Sequence, residues 1–318
     1  MRRFLLMLAC AAMLPLNQAW ADTKPLRILV GFPPGQATDM VARILAEKLQ
    51  AKLNRPVVVE NKPGQGGSLV LSQLARAEPD GSQMVLGALA SYVANPHIYK
   101  SVSYDTLTDF APVALVADLP MVLIVNPQVP AKTLAELVAY AKANPGKLSH
   151  SSSGIGTLSH LGMEHLKRAA GIDILHVPYP GSGPAMLDLA GGRIDVAMDT
   201  LAVAMPQVEA GKARLIAVCT EKRLPFLPDV PTIAELGYPG FHASAWLGTV
   251  FPKSTPQPAV TQMSDALMGI LKDPEVRKRF NSIGAVPWPM PSGEFAAFLK
   301  AEHARWGDLI RASGIPRQ

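Results

Sequence analysis

From Leu26 onward, short apolar runs alternate with longer stretches of helical periodicity, almost to the end of the chain. Residues 26–30 read as a strand, a Gly/Pro loop follows, and the apolar positions of 38–53 recur at helical spacing. Strand 56–59, helix 66–75 and strand 84–87 continue the series. This β-α-β-α-β order implies a parallel sheet with helices on both faces. The middle repeats the theme, with strands expected at 121–125, 149–152, 174–177, 196–198, 213–218 and 245–251. Thr133 with Glu136 forms a capping box, and Asp273-Pro274 an N-cap followed by an N1 proline. The C-terminal part reads as helices at 258–271, 274–283 and 292–312 with no sheet of its own. Such helices would return to cover the first unit, so the chain should cross between two α/β units near Met121 and near Gly248. Two crossings make a hinge, and the cleft between hinged α/β lobes is a usual ligand site.

A chain of 318 residues has room for two such units, and 48% apolar residues exclude a disordered polymer. The net charge of +5 is spread out, with Arg277-Lys278-Arg279 as the longest basic run, so no nucleic-acid partner is expected. Residues 1–21 have the form of a signal peptide: Met1-Arg2-Arg3, then an apolar run from Phe4 to Leu16, then Ala19-Trp20-Ala21 as a cleavage site. The product would be exported, which in a bacterium means the periplasm. Of the two cysteines, Cys10 would leave with that segment. Cys219 then has no intramolecular partner and reads as a buried strand thiol.

Three strand ends carry loops suited to an anion: 31–39, 151–157 and 179–183. Each combines glycine with Ser, Thr or Tyr and leads into a helix, whose opening N–H groups favour negative charge. None contains Lys or Arg. The first loop belongs to one lobe and the other two to the second, so closure would bring their donors together around a dicarboxylate. Asp39 should turn away from the anion and cap. Other chemistries fare poorly. The seven histidines include no H-E-x-x-H pair, and no second mature cysteine could build a thiolate zinc site, so neither metal nor cofactor is expected. Ser153 and His160 could imitate a nucleophile–base pair, but there is no Gly-x-Ser-x-Gly elbow. His160 reads instead as a residue that fixes its loop.

The run Gly31-Phe32-Pro33-Pro34-Gly35-x-x-Thr38-Asp39 resembles the first ligand loop of the Bug family, the solute receptors of tripartite tricarboxylate transporters. Val57-Val58-Val59-Glu60-Asn61-Lys62-Pro63-Gly64, Pro79-Asp80-Gly81, Gly154-x-Gly156-Thr157-x-x-His160, Val177-Pro178-Tyr179-x-Gly181 and Pro228-Asp229-Val230-Pro231-Thr232 match in the same order. The resemblance spans essentially all of the chain after residue 21. It implies a two-lobed periplasmic binding protein of type II-like α/β fold, with lobe 1 at 22–121 plus 249–318 and lobe 2 at 122–248. It further implies a non-enzymatic, monomeric receptor that closes on a small carboxylate and docks to a membrane permease. The ligands considered are di- or tricarboxylates, amino acids and aromatic acids. A ligand-loaded sensor and, further off, a secreted hydrolase are the rival readings. Carried over residue by residue, one carboxylate would meet Phe32, Gly35, Gln36 and Thr38, then Ser153, Gly154, Gly156 and Thr157. The rest of the ligand would meet Tyr179, Gly181, Ser182, Gly183 and Asp199, with Ser91 and Trp246 as further cleft candidates. This chain departs from the family at Gln36, where a second glycine is common. A side chain there would donate to the ligand or narrow the pocket.

Overall fold

The computed structural model describes residues 24–313 and residue 317, so the leader expected at 1–21 lies outside the described residues. The first unit opens with β1 (Leu26–Val30), α1 (Ala37–Leu53), β2 (Val57–Asn61), α2 (Ser68–Leu74) and β3 (Gln83–Ala88). β1 pairs in parallel with both β2 and β3, as the alternating pattern requires. Helix α1 covers this sheet with Val41, Ala42, Leu45, Ala46 and Leu49, all buried and spaced three and four apart. It ends at Asn54, which takes the left-handed conformation at φ 49°. A π-helical turn over residues 90–94 leads into the short α3 (Asn95–Ile98).

The next strand is far longer than its sequence suggests. β4 runs from Phe110 to Val125, where only 121–125 reads as a strand. Its first half pairs with the returning strand β9 (Ser244–Pro252), and its second half with β7 (Val196–Thr200) and β8 (Arg214–Val218). β4 therefore belongs to both lobes and forms the first crossing at Pro120-Met121. The second unit contributes α4 (Leu134–Ala143), β5 (Ser149–Ser152), α5 (Leu158–Ala170), β6 (Leu175–Pro178), α6 (Ser182–Ala190) and α7 (Leu201–Glu209). β5 is parallel to β6 and β7, and β7 and β8 run antiparallel to β4. At the second crossing Ala243 N–H donates to Cys219 O at 2.7 Å, immediately before β9 begins, and Gly248 lies mid-strand. Cys219 is fully buried and unpaired, as its apolar run suggests.

The C-terminal segment returns to the first unit as α8 (Gln257–Lys272), α9 (Pro274–Ser282), β10 (Val286–Pro291) and α10 (Ser292–Ser313). The strand corrects the expectation of helices without a sheet. β10 adds antiparallel to the first half of β4, with an irregularity between Pro287 and Met290. Its sequence, Val-Pro-Trp-Pro-Met-Pro, carries three prolines, which are tolerated only at an edge or a bulge. The result is two α/β lobes strung on one continuous sheet path, β2-β1-β3-β9-β4-β7-β5-β6. The strands' ligand-facing ends meet where β4 and β9 cross from one lobe to the other.

Candidate functional site

At that meeting point lies a narrow cavity of about 50 Å³. One wall comes from the first glycine loop and the start of α1: Phe32, Gln36, Ala37 and Thr38. The opposite wall carries Ser153, Thr157 and Ser159 from the start of α5, with Ser182 at the start of α6 and Asp199 at the end of β7. Leu119, Met121 and Ala245 from the crossing strands close its apolar back. Helices α1, α5 and α6 thus all begin at the cavity. Their first amides have no intrahelical acceptor, and none of the caps Gln36, Thr157 or Gly181 satisfies them with its side chain. No Lys or Arg lines the cavity among the described residues. The arrangement favours an anion held by neutral donors.

The hydroxyls of the second loop are already ordered. Thr157 Oγ1 donates to Gly154 O at 2.6 Å, Ser153 Oγ pairs with Ser159 Oγ at 2.9 Å, and Ser153 N–H donates to Ser159 Oγ at 2.9 Å. His160 accepts the Gly156 N–H on Nδ1 at 3.3 Å. Ser153 and His160 are therefore each bound to another group and form no nucleophile–base pair. His160 stacks on His176 at 4.2 Å between ring centroids, and His176 on His150 at 4.9 Å are joined in the same pile. Burial pushes the pKa of His160 down to about 4 and that of His176 to about 3. Both rings are neutral supports behind the loop.

Asp39 does turn away. Burial alone would raise its pKa, but hydrogen bonds from Arg43, the Gly35 amide and Asn61 outweigh that and hold it below the usual carboxylate range. Asp199 shows the opposite balance. Burial pushes it up to about 6, although Ser182 Oγ and the Thr200 amide both donate to Oδ1, at 2.9 and 2.7 Å. It is a carboxyl that can lose its charge near neutral pH at the lobe-2 end of the cavity.

Gly154 and Tyr179 stand at the outer mouth of the cleft with Pro33 and Ile155, and Tyr179 spends its hydroxyl on Asp188 at 2.6 Å. Gly181 faces Gln36 across the lobes, so closely that a Cβ there would stand 2.4 Å from Gln36 Nε2. Gly35 donates its amide to Asp39 and leaves the space beside it open. Gly154, Tyr179, Gly181 and Gly35 do not line the cavity itself, and four more expected contacts also lie off its wall. Trp246 points into the lobe-1 core, stacked on Tyr92 and donating Nε1 to Glu302 at 3.1 Å, because its neighbour Ala245 takes the cavity face of β9. Ser91 donates its hydroxyl to Ala88 O in its own turn. Gly156 gives its amide to His160 and packs against Asn95 and Ile98. Gly183 sits one residue into α6, beyond the cavity-lining Ser182, with open space beside it. Among the lining residues missed in sequence, Ser159, Leu119, Met121 and Ala245 reach the site because two chain crossings and a helix start converge there. Ser159 had a signal, since it lies two residues past Thr157 in the first turn of α5.

Residues 41–315 match the family described as Tripartite tricarboxylate transporter family receptor. Protein BugT of Bordetella pertussis is 34% identical, with 92% of this chain and 91% of that protein covered. The structure titled R. palustris Rpa4515 with adipate superposes with a TM-score of 0.90 at 34% identity, covering 93% of this chain and 99% of that one. MatC from Rhodopseudomonas palustris with bound malate gives a TM-score of 0.83 at 32% identity, covering 90% and 98%. The chain belongs to the Bug family of tripartite tricarboxylate transporter receptors.

Proposed function

We propose that this protein is a periplasmic receptor that captures a small carboxylate by closing its two lobes and delivers it to a membrane permease of the tripartite tricarboxylate type. The observation that carries the reading is the cavity itself. Three helix starts and a set of hydroxyls from both lobes converge on one small space without a Lys or Arg. Neutral dipoles hold an anion without leaving a buried cation unpaired when the ligand departs, which suits a protein that must release its cargo. The adipate and malate held by the two Rhodopseudomonas relatives are carboxylates, and this chain's cavity has the chemistry to hold such a group. In this reading the hinge lies at the two crossings, residues 1–21 are removed after Ala21, and the receptor acts as a monomer without metal or cofactor. No helix among the described residues is long and apolar enough to cross a membrane.

A thermal-shift screen over di- and tricarboxylates, amino acids and aromatic acids tests the reading, because a ligand that binds only the folded state raises its melting temperature. At least one carboxylate should stabilise the protein in a saturable manner, without being consumed. Turnover of the stabilising compound, or stabilisation by none of the panel, would refute it.

A further inference from the structure

Gln36 is only 9% exposed and forms part of the cavity wall. Its backbone is fully used: the N–H donates to Pro33 O at 3.4 Å and the C=O accepts from Met40 N at 3.0 Å. Its side chain makes no capping bond to α1. Nε2 of the carboxamide is buried and has no hydrogen-bond partner among the described residues. Buried donors are nearly always satisfied, so an unpaired one on a residue of the cavity wall points to an acceptor that a ligand brings. The same nitrogen meets the other lobe at Gly181. That glycine has extended backbone, at φ 160°, which any residue adopts, so its torsion does not call for glycine. The space taken by Gln36 does, because a Cβ would stand 2.4 Å from Nε2. The carboxamide therefore bridges the cleft and bounds the cavity from the lobe-1 side.

We propose that Gln36 is a specificity-determining residue that sets the length of acid the receptor accepts. Its Nε2 donates to a ligand carboxylate, and its bulk, lodged against Gly181, stops a longer chain. The cavity left beside it is small, about 50 Å³, which favours short acids over adipate. The proposal rests on the carboxylate reading above. It goes beyond it by naming the residue that selects and the direction of selection.

Calorimetric titration of wild-type, Gln36→Gly, Gln36→Met and Gly181→Ala proteins with malonate, succinate, glutarate and adipate tests it, with circular dichroism as the folding control. Wild-type should favour malonate or succinate over adipate by roughly tenfold or more, the scale of a misfit methylene in a closed pocket. Gln36→Gly should narrow or reverse that ratio. Gln36→Met keeps the bulk and loses the donor, so it should weaken the short acids by about tenfold without admitting adipate. Gly181→Ala should displace the flexible carboxamide and weaken short acids, and do so much less in the Gln36→Gly background. A folded Gln36→Gly protein with the wild-type order of preference overturns the selection by Gln36 and leaves the carboxylate reading intact. Failure of every carboxylate in the thermal-shift panel removes both.

Discussion

Gly156 donates its amide to Nδ1 of His160 across 3.3 Å, tying the second glycine loop to the first turn of α5. The bond requires an unprotonated Nδ1, so it exists only while the ring is neutral. Behind it stand His176, whose Nε2 meets Ser152 Oγ at 2.7 Å, and His150, whose Nε2 lies 3.5 Å from Glu164. Lys167 completes the group by pairing with Glu164 at 2.7 Å.

Stability in mild acid follows from this stack. The folded protein keeps His160 neutral down to about 4 and His176 to about 3, while an unfolded histidine takes up its proton near 6.5. The unfolded chain therefore binds more protons throughout that window, and stability present above 6.5 is lost as the pH falls toward 4. Asp118 and Asp199, both raised to about 6 by burial, act with the opposite sign, since protonation favours their folded forms. The comparison that isolates the histidines is wild-type against His160→Gln, which keeps an acceptor but does not titrate. Between pH 7 and 4 the wild-type melting temperature should fall several degrees further than that of the variant. Parallel curves would show that His160 does not titrate with unfolding.

Asp199 should make ligand affinity depend on pH. With its pKa near 6, lowering the pH from 8 to 6 removes about half of its negative charge from the lobe-2 end of the cavity. Over that range one carboxylate of a short diacid stays ionised, and the second, whose pKa the first raises, remains more than half ionised. Affinity should therefore rise as the pH falls, by roughly fivefold or more, and Asp199→Asn should flatten the profile. Titrations at three pH values in one buffer mixture provide the check. A flat wild-type profile would mean that the ligand does not sense this carboxyl.

Trp246 packs in the lobe-1 core and should not contact the ligand. Its ring stacks on Tyr92 with centroids 5.8 Å apart, and Nε1 donates to Glu302, which also receives Trp306 Nε1 and Arg305. Trp246→Phe should cost about 1–3 kcal/mol from a lost hydrogen bond and an underfilled core. Ligand affinity should stay within about twofold of wild-type, a change of about 0.4 kcal/mol at most. Urea unfolding and calorimetric titration of the same variant read the two effects separately.

The elements most legible in the sequence are those whose signals are local. Thr133 Oγ1 accepts the Glu136 amide at 3.2 Å, and Asp273 caps the Glu275 amide at 2.9 Å, as their spacing indicates. The first half of β4 was hidden because Pro112 and Pro120 interrupt it and its register shifts twice against β9. β10 was hidden by its prolines. Within the site, the glycine loops announce themselves by composition, but side-chain direction does not follow from composition. Ala245 and Trp246 are neighbours on β9, and only the register decides which one faces the cavity. The meeting of Gln36 with Gly181 depends on how two lobes come together, and they are far apart in sequence.

Gly156 and Gly35 provide a matched pair that separates backbone strain from contact between the lobes. Both have φ +81°, a conformation that costs an L-residue about 1–2 kcal/mol. Beside Gly35 the space is open. At Gly156 an added Cβ would stand 3.0 Å from Asn95 Oδ1 and 3.1 Å from Ile98 Cδ1, side chains of the first lobe. Asn95 cannot yield easily, because its Nδ2 already holds Gln65 O at 2.8 Å and Ser68 Oγ at 2.8 Å. Gly35→Ala should therefore lose only the torsional cost, while Gly156→Ala should lose that and about 1–3 kcal/mol more from overpacking. The extra loss arises only where the lobes touch, so a protein able to open its cleft can relieve it. Gly156→Ala should then populate a more open form, with a larger radius of gyration by small-angle scattering than Gly35→Ala. Equal unfolding free energies and equal radii for the two variants would show that Gly156 carries no restraint between the lobes.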